Sequence, residues 1–162
     1  VDVLNDNGQH VMITDFREFY KLSQYFTPYK LQNLRIILGV KTLSKLMQPK
    51  WYEELPGKLL QAMGLLFPGN TRLYAYPEKV QDTAQVRYAE DLDLSGETAD
   101  MYALLIKWEK ILNLQPGRKT QLNITPGMVA EKIRSGDPTW ENHVPVRIAD
   151  MIKKRHLFGY EA

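Results

Sequence analysis

The chain has 162 residues, 44% of them hydrophobic and 25% charged, with a formal net charge of +2 and no cysteine. That balance is globular and argues against disorder. The missing cysteines exclude disulfide scaffolds, thiol catalysis and thiolate metal sites, and no apolar run approaches the roughly 18 residues that a membrane-spanning helix needs.

The predicted elements follow in chain order. Val1–Leu4 and His10–Ile13 flank Asn7-Gly8, the strongest short hairpin signal, so a small β-hairpin is expected there. Asp15 and Glu18 fit a capping box for a helix carrying Phe16, Phe19, Tyr20 and Phe26. Thr27-Pro28 ends that helix and starts another. The stretch from Tyr29 to Gln48 is expected as one long helix, with Ile36, Val40, Leu43 and Met47 on one stripe. Pro49 ends it, and Trp51–Leu55 reads as a turn or short helix. Leu59, Leu60, Met63, Leu66 and Phe67 form the next amphipathic helix, stopped by Pro68-Gly69-Asn70. Thr71–Tyr76 and Gln85–Ala89 are rich in β-formers and suggest a second hairpin.

Ser95 caps a helix whose stripe runs through Met101, Leu104, Leu105, Trp108, Ile111 and Leu112, and Pro116-Gly117 is expected to end it. Trp108 in that stripe reads as core. Gln121–Ile124 suggests a short strand. Thr125-Pro126 opens a helix to Arg134, and a last helix follows Pro145, with Leu157–Tyr160 as a docked tail. No repeat appears, and no linker divides the chain. Strands do not alternate with helices, which argues against a parallel sheet. The expected fold is therefore mainly helical: about six helices and one or two small β-hairpins in a compact, bundle-like α+β single domain over residues 1–162. The start at Val1 suggests excision from a longer protein. No signal pattern is present, which leaves the cytoplasm as the default location.

Local catalytic patterns are absent from the sequence. It contains no G-x-G pair, no P-loop, no G-x-S-x-G and no H-E-x-x-H. His10, His143 and His156 fall in different elements, without metal-ligand spacing. No cofactor and no resident metal are expected. Asp91, Asp93 and Ser95 partly fit a calcium loop, but the twelfth position is Tyr102, so the bidentate carboxylate is missing. Ser95 reads more simply as a helix cap, with Glu97 and Asp100 near the positive end of the helix dipole.

Charge is segregated instead. Between Glu18 and Glu53 there is no acidic residue, whereas Lys21, Lys30, Arg35, Lys41, Lys45 and Lys50 are basic. Lys30, Lys41 and Lys45 would share one side of the long helix and could follow an acidic partner or a phosphate backbone. A second basic run, Lys153, Lys154 and Arg155, closes the last helix. The nine-residue connection before that helix is too long for a helix-turn-helix. Trp51, Trp140 and the tail are candidate aromatic anchors. The expected function is a non-enzymatic protein-interaction or assembly module of a larger protein, docking through the basic face and Trp140. The alternatives are a nucleic-acid-binding domain using the same basic residues, and a helical domain of a larger enzyme.

Overall fold

In chain order the elements are α1 (Asp2–Asp6), α2 (Phe19–Phe26), β1 (Arg35–Gly39), α3 (Val40–Leu46), α4 (Lys58–Leu66), β2 (Arg72–Tyr76), β3 (Glu78–Lys79), β4 (Val86–Arg87), α5 (Gly96–Lys107), β5 (Ile111–Asn113), α6 (Pro126–Arg134) and α7 (Val146–Arg155), with short 3₁₀ turns between several of them. The computed structural model describes all residues except 81, 82, 84, 118–121, 123 and 162. Six of the α-helices have seven residues or more, and the strands are few and short, so the fold is helix-rich α+β. The expected strand over 121–124 lies partly outside the described residues. Among those residues no helix is long and apolar enough to cross a membrane. The chain divides into two compact units, Asp15–Thr120 (the sheet unit) and Val1–Thr14 with Gln121–Ala162 (the terminal unit).

The sheet unit corrects three expectations. The first is the long helix from Tyr29 to Gln48, which is instead β1 followed by the seven-residue α3. The second is the argument against a parallel sheet. Strands β1, β2 and β5 form one in the order β1-β2-β5, with Ile36 opposite Leu73 and Leu73 opposite Ile111. The third is the partner of Thr71–Tyr76, because β2 pairs inside that sheet. The second hairpin exists but joins β3 to β4, with Glu78 opposite Arg87.

Alternation along the strands sorts their side chains. Ile36, Leu38, Leu73, Ala75 and Ile111 are buried in the core with Val40, Leu43 and Leu46 of α3, Leu59, Ala62, Met63 and Leu66 of α4, and Leu105 of α5. The other side carries Arg35 and Arg72 in one row, Ile37, Tyr74 and Leu112 in the next, and Gly39 and Tyr76 in the last. None of these seven residues belongs to the buried core. Helix α2 is tied to α4 by the buried Ser23 hydroxyl, which donates to the Leu66 carbonyl at 2.8 Å.

The terminal unit has its own core of Ile133, Trp140, Ala149 and Ile152. Thr125 caps α6 as expected, its hydroxyl accepting from the Met128 N–H at 3.2 Å. The expected N-terminal hairpin is helix α1 instead. Asn7-Gly8 stops that helix: the Gly8 N–H donates to the Asn5 carbonyl and the Gln9 N–H to the Leu4 carbonyl, with Gly8 at φ 76°. This is a Schellman motif, which uses the same left-handed glycine that a hairpin turn would. Gly136 ends α6 in the same way.

Helix α5 ends by that motif too, but with Glu109 in the left-handed position at φ 53°. The chain therefore leaves the helix at Trp108, and Ile111 and Leu112 extend as β5 rather than continuing the expected stripe. Trp108 is 62% exposed and is not a core residue. A non-glycine residue in this conformation costs about 1–2 kcal/mol. Glu109 does pair with Arg72 at 3.5 Å, but exposed pairs contribute at most about 1 kcal/mol. Glu109→Gly is thus expected to stabilise the protein by up to about 1 kcal/mol, read from the urea midpoint. Leu43→Ala, which empties a fully buried position, should cost about 2–5 kcal/mol in the same assay.

Candidate functional site

Helix α3 begins directly after β1, with Gly39 as its extended N-cap. Val40, Leu43 and Leu46 bury its inner side. That orientation turns Lys41 and Lys45, one helical turn apart, to solvent together. No acidic side chain lies on α3 itself. Past Met47 the chain turns through a short 3₁₀ helix, Pro49–Tyr52. Its Tyr52 is buried and donates to the Leu46 carbonyl at 2.8 Å, which fixes the turn against the end of α3. Burial pushes the Tyr52 phenol up to about 12. The same turn leaves Trp51 55% exposed, with the Lys50 ammonium 5.1 Å from its ring centroid. Among the described residues, none of Lys41, Lys45 and Lys50 pairs with a carboxylate.

The other expected site residues fall elsewhere. Lys30 is exposed and left-handed at φ 50°, closing the turn Thr27–Tyr29, so the stripe of Lys30, Lys41 and Lys45 on one helix does not exist. Arg35 lies on β1. Its guanidinium donates to the carbonyls of Leu34 and Asn70 and to Asn33 Oδ1 at 2.9 Å, bracing the loop before β2. Trp140 is 2% exposed and packs edge-on against Tyr160 at 6.1 Å, so it is core and offers no anchor. Lys153 pairs with Glu141 at 2.6 Å, whose carboxylate raises the lysine pKa. Lys154 and Arg155 remain exposed in the last turn of α7, in the terminal unit.

Of the three calcium-loop residues, Asp91 serves the backbone. The Asp91 carboxylate accepts from the Tyr88 N–H at 2.8 Å, and Asp93 is exposed. Ser95 occupies the N-cap position of α5 without a side-chain hydrogen bond. Among the described residues no cluster of three His, Asp or Glu side chains could hold a metal.

Among the described residues each unit has a hollow. One of about 440 Å³ in the terminal unit is walled by Val129, Ile133, Val144, Ile148, Ile152 and Phe158. The other, of about 330 Å³, runs along α5 beside Leu92, Leu94, Ala103 and Ile106. Next to the second, Tyr102 donates to the Ala89 carbonyl at 2.8 Å, and burial raises its phenol well above the usual range. That bond ties α5 to the turn that precedes it. Neither hollow is traceable in the sequence, because each is walled by apolar residues drawn from helices and from loop or tail segments that only folding brings together. Compared with protein-family models, with characterised proteins and with solved structures, the chain matches none.

Asp137 is the most perturbed carboxylate. The Lys132 ammonium bonded to it at 2.8 Å, then the Thr139 hydroxyl and N–H, hold its carboxyl well below the usual range. Its folded value lies below the unfolded one of about 3.9, so its contribution to stability is present above that pH and lost as the pH falls. Asp137→Asn is expected to lower the melting temperature at neutral pH and to flatten its fall below about pH 4, read by circular dichroism. Trp140→Ala should destabilise the terminal unit by about 3–5 kcal/mol, a loss of folding rather than of binding.

Proposed function

We propose that this chain is a protein-interaction module that docks an acidic partner through the outer side of α3 and the turn after it. One observation carries the reading: Lys41, Lys45 and Lys50 are exposed without a carboxylate partner among the described residues, and Trp51 stands exposed beside Lys50. Exposed lysines that form no internal ion pair leave their charge for a partner, which speeds encounter and sets specificity. Tryptophan is the side chain most often found at the energetic centre of an interface. The acid-free stretch from Phe19 to Tyr52 spares an acidic partner local repulsion.

The test is fluorescence anisotropy with a labelled Asp/Glu-rich peptide that also carries an aromatic residue. Lys41→Glu with Lys45→Glu is expected to weaken binding about tenfold or more and to remove its salt dependence, with an unchanged melting curve because both side chains are exposed. Trp51→Ala should cost about 30-fold. Binding that ignores all three substitutions would overturn the reading.

A further inference from the structure

Parallel sheets are normally covered on both faces. In the sheet unit the described core lies on one face only; on the other, Ile37 is 63% exposed, whereas Tyr74, Tyr76, Leu112 and Arg72 are half-buried. What that second face carries is chemically specific. Tyr74 and Tyr76 stand two residues apart on the central strand, about 7 Å from each other along it. Ile37 and Leu112 flank Tyr74 in register, about 5 Å away on either side. Beside Tyr76 is Gly39, where an added Cβ would meet no atom within 4 Å, so that flank is open.

The lower end of the same face is cationic. Arg35 and Arg72 are in register there, and Lys110 immediately precedes β5. Among the described residues Arg35 bonds only neutral acceptors, which leave its charge in place. Lys110 likewise donates to the Gly69 carbonyl at 2.9 Å. The carboxylate that pairs with Arg72 is Glu109, at 3.5 Å and largely exposed, where solvent screens it.

A ligand for this face must offer flat rings at a spacing of about 7 Å and negative charge along one path. An acidic peptide satisfies the arginines, but one with a single aromatic residue fills only one of the two ring platforms. A duplex keeps its bases stacked inside and offers no ring to a flat sheet. Single-stranded nucleic acid meets both requirements, since successive bases stack on aromatic side chains while a basic surface follows the backbone.

We propose that the second face of the β1-β2-β5 sheet binds single-stranded nucleic acid, with bases stacking on the accessible parts of Tyr74 and Tyr76 and the phosphates passing Arg35 and Arg72. This surface is separate in residues from the lysine face of α3 and does not depend on the docking reading.

Binding of fluorescein-labelled oligo(dT) and oligo(U), followed by anisotropy at about 50 and about 200 mM salt, tests it. The wild-type chain should bind, more weakly at the higher salt. Tyr74→Leu and Tyr76→Leu, which keep an apolar side chain, should each weaken binding roughly 5- to 100-fold. Tyr74→Phe, which keeps the ring, should restore it. Arg35→Gln with Arg72→Gln should reduce the slope of log affinity against log salt by about 0.7 for each phosphate that is no longer neutralised. Circular dichroism melts confirm that each variant is folded. No binding by the wild-type chain at the lower salt would overturn the proposal. Affinity that ignores both tyrosines but disappears in Lys41→Glu with Lys45→Glu would also overturn it, placing the strand on α3. Binding of the acidic peptide that disappears in Tyr74→Leu would make the face a protein site instead.

Discussion

The sheet unit depends on one constraint: its central strand hydrogen-bonds to a parallel neighbour on each edge while its side chains alternate between two faces. Strand β2 is the central strand, so its Leu73 and Ala75 are fully buried and its Tyr74 is committed to the opposite face. Once β2 holds that register, the sides of β1 and β5 follow, because a slip of one residue would turn Ile36, Leu38 and Ile111 away from the core. Helices α3, α4 and α5 all send side chains into that core. Sequential parallel strands lying side by side, joined by right-handed crossovers, place their connections on one face. A one-sided layer is therefore a consequence of the strand order.

That asymmetry separates two kinds of surface. On the covered side, packing turns Lys41 and Lys45 outward, because the inner positions of α3 are taken by Val40, Leu43 and Leu46. On the other side, the strands carry half-buried rings and guanidinium groups in rows whose spacing the backbone sets. Charge works differently in the two places. The lysines act through a diffuse field that salt screens, whereas Arg35 is already held by the carbonyls of the neighbouring loop, which orders its guanidinium. In the terminal unit the charged side chains are mostly used internally, as in Lys132 with Asp137, Lys153 with Glu141 and Arg147 with Asp6.

Legibility varies with the kind of signal. Helices α4, α6 and α7 are readable because proline, glycine and a threonine cap mark their ends. Strand β1 is not. Leu34, Ile36, Leu38 and Val40 alternate with period two, but Ile36, Val40, Leu43 and Met47 also fit period 3.6, and nothing local chooses between them. Strand β5 is hidden because Glu109 stops α5 in a conformation that glycine usually takes. Asn7-Gly8 does signal a left-handed reversal but not which structure it ends, since a Schellman end and a hairpin turn need the same backbone. The basic character of the α3 region is readable from composition. The burial of Trp140 and the pairing of Arg72 with the row of Arg35 are not.

The sequence by itself determined the helix-rich α+β class, the absence of cysteine chemistry, the acid-free basic stretch and most helix boundaries that carry a cap or proline. These are local properties, set by side-chain type and by spacings of a few residues. Tertiary structure decided that residues 35–39 form a strand, that β2 is central, and which aromatic residues are core and which face solvent. Those outcomes depend on hydrogen bonds between segments far apart in the chain: β1 and β2 lie more than thirty residues apart, as do β2 and β5. A local pattern cannot reveal a pairing whose partner is that distant, because the backbone bonds that favour the strand over the helix exist only after the two segments meet.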